Sequence, residues 1–411
     1  MKPNHVIRSQ EDLLNHFGSS KKLEILGLQQ MENLLCLNVQ PEVWEDASNK
    51  NLLSFSQEFV QKTTIITLNS RKIQHIYLIS FLTNLTDLDL SYNNISDISS
   101  ISKLKNLKKL YLGRNKIGDI SALQSLTDLI FLDLIENKLT SYTLALPNLV
   151  ELALGCNKLE DKSGLQHSSK LQRLNLNKTE TTDLRTIPTQ LFGLKELTLQ
   201  QNNLIEIVYL SNFVDLQILD LSYNLQLQNI GLLQFCTQLT KLSIITTSIS
   251  DIWSLQFMKN LKGLNMANTK VVDLHPLQYL YKLVEIYTYY ACIIDVSPLS
   301  KLTQLKTLTL NNNKIINAET LKHHKNFTKY DFSNQKVPKP DELTFYSKIL
   351  SVRSSHKQIR KIQAENRVSK FRESITRQKE DIKSKINEQI RAVNQKIEIW
   401  AQFIQNSIAD Q

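Results

Sequence analysis

Glycine is scarce in this chain of 411 residues: there are nine, scattered, the last at Gly263. The chain holds no glycine-rich phosphate loop, no G-x-S-x-G and no H-E-x-x-H, which excludes nucleotide cradling, nucleophile-elbow hydrolysis and zincin chemistry on motif grounds. Cysteine is scarcer still. Cys36, Cys156, Cys236 and Cys292 show no C-x-x-C spacing, which argues against a disulfide framework or a zinc site and fits a reducing compartment. Long apolar runs are missing too: no stretch approaches the roughly 18 to 20 residues needed to cross a bilayer. The opening "MKPNHVIRSQEDLLNHF" also lacks the apolar core of a secretory signal. The expectation is an intracellular protein, cytoplasmic or nuclear, with no membrane span.

Candidate chemistry is equally thin. His323 and His324 are adjacent, so on a helix they diverge by about 100° and make a poor metal pair. Asp87, Asp89, Asp133 and Glu151 form a loose acidic group without an evident acid and base pairing. No catalytic residue, metal ligand or cofactor is expected, and the chain is not read as an enzyme.

What the chain does have is a period. Laid over itself, it repeats at about 22 residues. The stretch "LTDLDLSYNNISDISSISKLKN", residues 85–106, is one copy. Copies open at Thr63, Leu85, Leu107, Leu129, Leu149, Leu171, Leu194, Leu216, Leu239, Leu261, Leu283 and Leu305, which makes twelve complete units. A thirteenth, "FTKYDFSNQKV", opens at Phe327 and runs only as far as its strand and turn, and a degenerate early copy, "LEILGLQQMENLLCLNV", starts at Leu23. A period of this length replaces the expectation of several globular domains with one elongated array.

The spacing within a unit has a physical logic. In "LTDLDL" the alternation puts Leu88 and Leu90 on one face of a short strand and Asp87, Asp89 and Ser91 on the other. The ninth place is Asn in seven units (Asn93, Asn115, Asn137, Asn157, Asn202, Asn224, Asn313) and Thr in three (Thr179, Thr247, Thr269). A side-chain amide both donates and accepts, so it can satisfy backbone groups left open where the chain leaves the strand. A second apolar cluster, such as Ile95, Ile98, Ile101 and Leu104, returns across the opposite side. An Asp just ahead of it (Asp97, Asp119, Asp183, Asp251, Asp273, Asp295) suits the N-cap of a short helical turn. Pro276 and Pro298 fall at early helical positions, where a missing N–H costs nothing.

The motif L-x-x-L-x-L-x-x-N followed by "ISDIS" resembles the 22-residue class of leucine-rich repeats, shared by the nuclear regulatory subunit of protein phosphatase 1 and by bacterial internalins. The resemblance covers residues 63–337. It implies an α/β solenoid, a curved stack with a parallel sheet on its concave side, and capture of a protein partner on that side. It predicts residues 1–62 to be a degenerate repeat or cap and residues 63–337 the solenoid.

Residues 338–411 are of a different kind and are predicted to form a long C-terminal α-helix of coiled-coil type. Residues 345–411 hold 14 Lys plus Arg against 7 Asp plus Glu, a net of +7, whereas the rest of the chain carries 35 against 32. Ile386, Ile390, Val393, Ile397, Trp400 and Ile404 follow one another at steps of 4, 3, 4, 3 and 4, the stripe of a coiled-coil seam. Val368, Phe371, Ile375 and Ile382 extend it with a gap at Gln378, and the join through Ile386 acts as a stutter.

Recognition falls to the outward places of the strands, the third, fifth and seventh of each unit. Two aromatic spots stand out there: Tyr111 with Phe131, and Tyr287 with Tyr289, the latter beside Gly263, Asn265 and Ala267. Exposed aromatics are frequent interface anchors, although tyrosine also simply suits strands. The composite reading is a non-catalytic scaffold that captures a protein on its concave sheet and self-associates, or binds a second protein, through its tail. Two alternatives stand beside it: a nucleic-acid or anionic-surface binder working through the basic tail, and a phosphatase regulatory subunit, as the resemblance implies.

Overall fold

The computed structural model describes residues 23–25, 28–36, 53–322, 324 and 326–336. The chain divides into two units, Met1–Val337 and Pro338–Gln411. The predicted tail helix and its seam lie outside the described residues.

The repeating part is one curved, unclosed parallel sheet of thirteen strands in strict sequence order, from β3 (Ile65–Thr67) to β15 (Lys329–Asp331). Neighbours pair at the same place of successive units: Ile65 opposes Asp87, Asp87 opposes Lys109, and Lys109 opposes Phe131. The cause is the alternation seen in the sequence. Leu88, Leu90, Leu110 and Leu112 are fully buried, and they belong to one continuous apolar column that runs the length of the array. A unit cannot bury its leucines alone; each is covered by the next.

Each strand is only three residues long because the chain turns off the sheet at the eighth place. That residue has positive φ in all thirteen units, from Ser70 and Tyr92 to Asn312 and Asn334. The backbone there is left-handed whatever the side chain, although Cβ makes that region cost about 1–2 kcal/mol. Thr246, at φ 53°, is β-branched and pays most. Thr246→Gly is therefore expected to stabilise the protein by about 0.5–1 kcal/mol, even after the entropy that glycine adds to the unfolded chain. Thr246→Ala, which loses the same surface bond from Asn268 (3.1 Å) but keeps Cβ, should not. Chemical denaturation of both variants checks this: a glycine variant no more stable than the alanine one would show that the turn stores no strain.

The asparagine ladder forms as its chemistry requires. Asn93 Oδ1 accepts the N–H groups of Arg71 and Ile73, each at 3.0 Å, while its Nδ2 donates to the carbonyls of Leu68 (2.8 Å) and Leu90 (2.9 Å). One amide thus ties two units together, and the pattern recurs at Asn115, Asn137, Asn157, Asn202, Asn224 and Asn313. Thr247 and Thr269 reach only a carbonyl of their own unit.

The other side of the array corrects the helical expectation in kind. Where short helical turns of an α/β solenoid were expected, eleven of the twelve complete units carry 3-10 helices of three to five residues, such as Ser99–Lys103. After strand and turn too few residues remain for an α-helix, and a 3-10 turn spans more distance per residue. The capping aspartates act as expected but sit one residue earlier than an N-cap in most units. Asp97, Asp119 and Asp273 accept the amide two residues on, at 2.8, 2.8 and 2.9 Å, and only Asp183 occupies the cap itself. The unit 129–148 has no 3-10 helix. Its back is extended, with Ser141 bridging to Asp161 and Tyr142 fully buried.

At the N-terminal end the early copy at Leu23 is not in step with the array. Strand β1 (Leu23–Ile25) pairs with β2 (Leu53–Phe55) in a separate two-stranded sheet, with helix α1 (Leu28–Cys36) between them. Met31, Leu34 and Leu35, at helical spacing, are buried in the same column as the repeats. This helix covers what would otherwise be the open end of the leucine stack, and Glu32 pairs with Arg71 at 2.6 Å.

Candidate concave interaction face

The outward side of the sheet carries the residues on which recognition was expected. Tyr111 and Phe131 meet, with ring centroids 4.5 Å apart and planes tilted by 37°. Both are half-buried. Strand pairing places Asp89 and Asp133 on either side of Tyr111, and Lys109 and Glu151 on either side of Phe131. Lys109 pairs with Asp87 at 3.4 Å, and Arg173 forms a close ion pair with Glu151.

Two of the carboxylates in the acidic group also have a local duty. Asp89 Oδ1 accepts the Ser91 amide and Asp133 Oδ1 the Ile135 amide, each at 2.9 Å, closing the end of the strand. Asn175, Asp220 and Asp331 do the same in their units. Burial pushes the Asp133 carboxyl above the usual carboxylate range, and the nearby charges of Asp89 and Glu151 add to this against the bond from Ile135. The folded protein therefore holds this proton more tightly than the unfolded chain. Its contribution to stability is present at acid pH and is lost as pH rises through the raised folded value. Asparagine keeps the acceptor for Ile135 without the charge. Asp133→Asn is expected to be more stable than the parent at neutral pH, with the difference vanishing as pH falls through the carboxylate range. Paired denaturation curves at the two pH values test this; a variant weaker than the parent at neutral pH would mean that the carboxylate is net stabilising where it stands.

Tyr287 lies between Asn265 and Thr309 on the neighbouring strands. Tyr289 packs edge-on against Tyr290, with centroids 6.1 Å apart, rather than against Tyr287. Tyr290 was not singled out in the sequence, yet it is 59% exposed; its signal was the eighth place, which turns its side chain outward. Space beside these rings is uneven. A Cβ on Gly263 would meet only Lys241 Cγ at 3.6 Å and Glu285 Oε2 at 4.0 Å, whereas Ala267 is fully buried. This unit also breaks the repeat pattern twice inside. Thr288 replaces a core leucine with a buried hydroxyl that has no partner among the described residues, and Ala291 stands where the ladder asparagine belongs.

Among the described residues no group of histidine, cysteine or carboxylate side chains could hold a metal ion. No helix among them is long and apolar enough to cross a membrane. The four cysteines are free thiols, Cys236 being buried and its pKa pushed up to about 12 by that burial.

A period of stacked strands with an amide ladder defines a class, and comparison with known proteins gives the same one. Residues 83–125 match the family model for leucine-rich repeats in two copies. An internalin, InlF, from Listeria monocytogenes is 30% identical with a TM-score of 0.56, over 68% of this chain and 76% of its own. The chain belongs to the leucine-rich-repeat proteins. A leucine-rich-repeat protein from Leptospira interrogans shares the fold at 23% identity and a TM-score of 0.62, over 77% of this chain and 79% of its own. So does the ectodomain of the receptor kinase GASSHO1/SCHENGEN3 from Arabidopsis thaliana, at 18% identity and a TM-score of 0.51, over 78% of this chain and 47% of its own. That structure is a complex with CASPARIAN STRIP INTEGRITY FACTOR 2. No curated protein sequence matches the chain.

Proposed function

We propose that this protein is a non-catalytic scaffold that captures a protein partner on the concave sheet. The observation that carries the reading is the sheet itself: thirteen parallel strands lie side by side in one sheet, and its outward side holds two separate aromatic groups. Burying such rings against a partner is the usual source of binding energy in an interface. The plant receptor complex supports the reading only as an example of this fold holding a polypeptide. Tyr111 and Phe131 form one contact and Tyr287 and Tyr289 the other. The tail adds association: the stripe from Ile386 to Ile404 would leave six apolar side chains in water on a solitary helix, and pairing with a second copy covers them.

One experiment separates the two parts. Cross-linking in cells of origin should identify a partner joined to full-length protein. Tyr287→Ala with Tyr289→Ala should weaken its binding by about 2 kcal/mol while leaving thermal stability nearly unchanged. Ile390→Asp with Ile397→Asp should leave that binding intact but lower the mass seen in sedimentation. Undiminished binding by the tyrosine variant would remove Tyr287 and Tyr289 from the contact, and an unchanged mass would remove self-association.

A further inference from the structure

Resting on the concave-face reading, we propose that Tyr111 and Phe131 form a subsite for a cationic side chain, arginine or lysine, on an extended segment of the protein partner. The ring pair is the platform. Rings carry negative charge on their faces, so a guanidinium or ammonium set over them is attracted, and more strongly where water is partly excluded. The protein makes this contact within itself one place along the ridge, where Arg114 lies 4.8 Å from the centroid of the Tyr92 ring.

The frame around the platform has the complementary charge. Asp89 and Asp133 flank Tyr111 on the strands either side. Adjacent strands are roughly 4.8 Å apart, so a cation above the ring lies within reach of both carboxylates. The local cations are already engaged: Lys109 by Asp87, Arg173 by Glu151, and Arg114 by Glu136 at 3.0 Å. Asp89 and Asp133 have no cationic partner among the described residues. Asp89 accepts Asn69 Nδ2 at 3.3 Å and the Ser91 amide, and Asp133 accepts the Ile135 amide.

The raised proton affinity of Asp133 points the same way, since desolvation and its two acidic neighbours disfavour its charge until a cation arrives. Gly113 keeps the approach open: a Cβ there would stand 2.8 Å from Asp133 Oδ2. The tyrosines of the 283 unit lack such a frame. Tyr287 is flanked by Asn265 and Thr309, so the two aromatic spots differ in the chemistry they accept.

The test uses the full chain and two fluorescent peptides of alternating arginine and glycine, one of them with citrulline, the neutral isostere, at every arginine. At low salt the arginine peptide should bind at least about tenfold more tightly than the citrulline peptide. Tyr111→Ala, and separately Asp89→Asn with Asp133→Asn, should each weaken the arginine peptide by about tenfold. Asparagine can still accept the Ser91 and Ile135 amides, and a thermal melt confirms that each variant is folded. Asp128→Asn with Glu160→Gln changes the net charge equally at exposed positions off this face and should leave affinity unchanged. Equal binding of the two peptides, undiminished binding by both face variants, an equal loss in the off-face control, or no binding of either peptide would each overturn the subsite. If the peptides fail while Tyr287→Ala with Tyr289→Ala still disrupts capture of the cross-linked partner, the scaffold reading stands and only the cationic subsite falls.

Discussion

Replacing Leu88 and Leu90 together by aspartate is expected to abolish the native unfolding transition, while excising the whole unit that contains them, residues 85–106, should leave a folded and cooperative protein. Both leucines are fully buried. Each substitution opens a cavity costing about 2–5 kcal/mol and leaves a carboxylate with no partner in an apolar column, several kcal/mol more. The sum matches or exceeds the whole stability of an ordinary domain. Deletion does less damage because each unit meets only its neighbours. Joining Asn84 to Leu107 places Asn115 where Asn93 stood, able to accept the Ile73 amide and to donate to the Leu68 carbonyl, which Asn93 now bonds at 3.0 and 2.8 Å. On the opposite side the helix Tyr77–Phe81 would meet Ser121–Leu123 in place of Ser99–Lys103. The unit after 107–128 has no 3-10 helix, so excising 107–128 would be the poorer choice. Far-UV circular dichroism melts decide the matter. The deletion should melt no more than about 10 °C below the parent; a charged variant that melts with the parent, or a deletion that does not fold, would show that these residues do not share one register.

Why some features could be read in advance and others could not follows from how a repeat repeats. A place that takes the same environment in every unit is seen a dozen times over, so the leucine column and the Asn93 type of ladder were legible. The left-handed eighth place was not: Tyr92, Arg114, Glu136 and Cys156 share no propensity, and their conformation is imposed by the strand exit before them and the ladder amide after. Asp89 and Asp133 were read as part of a surface patch, whereas their first task is to close the strand; the recurring D-x-S of Asp89, Asp220 and Asp331 was the available signal. A second amide row went unread. Asn84, Asn106, Asn148, Asn260 and Asn326, each just before the opening residue of a unit, donate Nδ2 to a carbonyl 21 or 23 residues earlier at 2.9–3.4 Å. The capping helix at Leu28–Cys36 departs from the period and could not have been found through it. At the far end Gln335 takes the ninth place of the last unit with the longer amide, donating to Leu310 at 2.8 Å and accepting from Ile315 at 3.2 Å. Of the face, the sequence gives up the ring positions but not their contacts. That Tyr111 touches Phe131 while Tyr289 turns to Tyr290 depends on rotamers, which no period encodes.

The ladder is where a single small substitution should do the most harm. Asn202 is buried and accepts the amides of Thr179 and Thr181 at 3.0 and 2.9 Å while donating to the carbonyls of Leu176 and Leu199 at 2.8 and 2.9 Å. In Asn202→Ala four backbone groups lose this partner at once; the Leu176 carbonyl keeps the Thr179 hydroxyl and the Leu199 carbonyl keeps Asn224 Nδ2, so the amides of Thr179 and Thr181 are the groups left unpaired. A buried group left unpaired costs about 1–3 kcal/mol, and the side chain's own transfer out of water returns little of that. Water entering the vacated volume would satisfy part of this, so the expected loss is about 3 kcal/mol rather than the upper end of that sum. Asn202→Asp keeps the shape and the two acceptor bonds but turns both donors into a buried negative charge facing carbonyls, and should be worse. Asn202→Thr, the residue nature uses at Thr179, Thr247 and Thr269, can reach one carbonyl through its hydroxyl, as Thr247 does at 2.9 Å, and should fall between parent and alanine. The order parent, threonine, alanine, aspartate in midpoint of urea denaturation is the measurement. An alanine variant within about 1 kcal/mol of the parent would mean that the amide marks the turn without holding the units together.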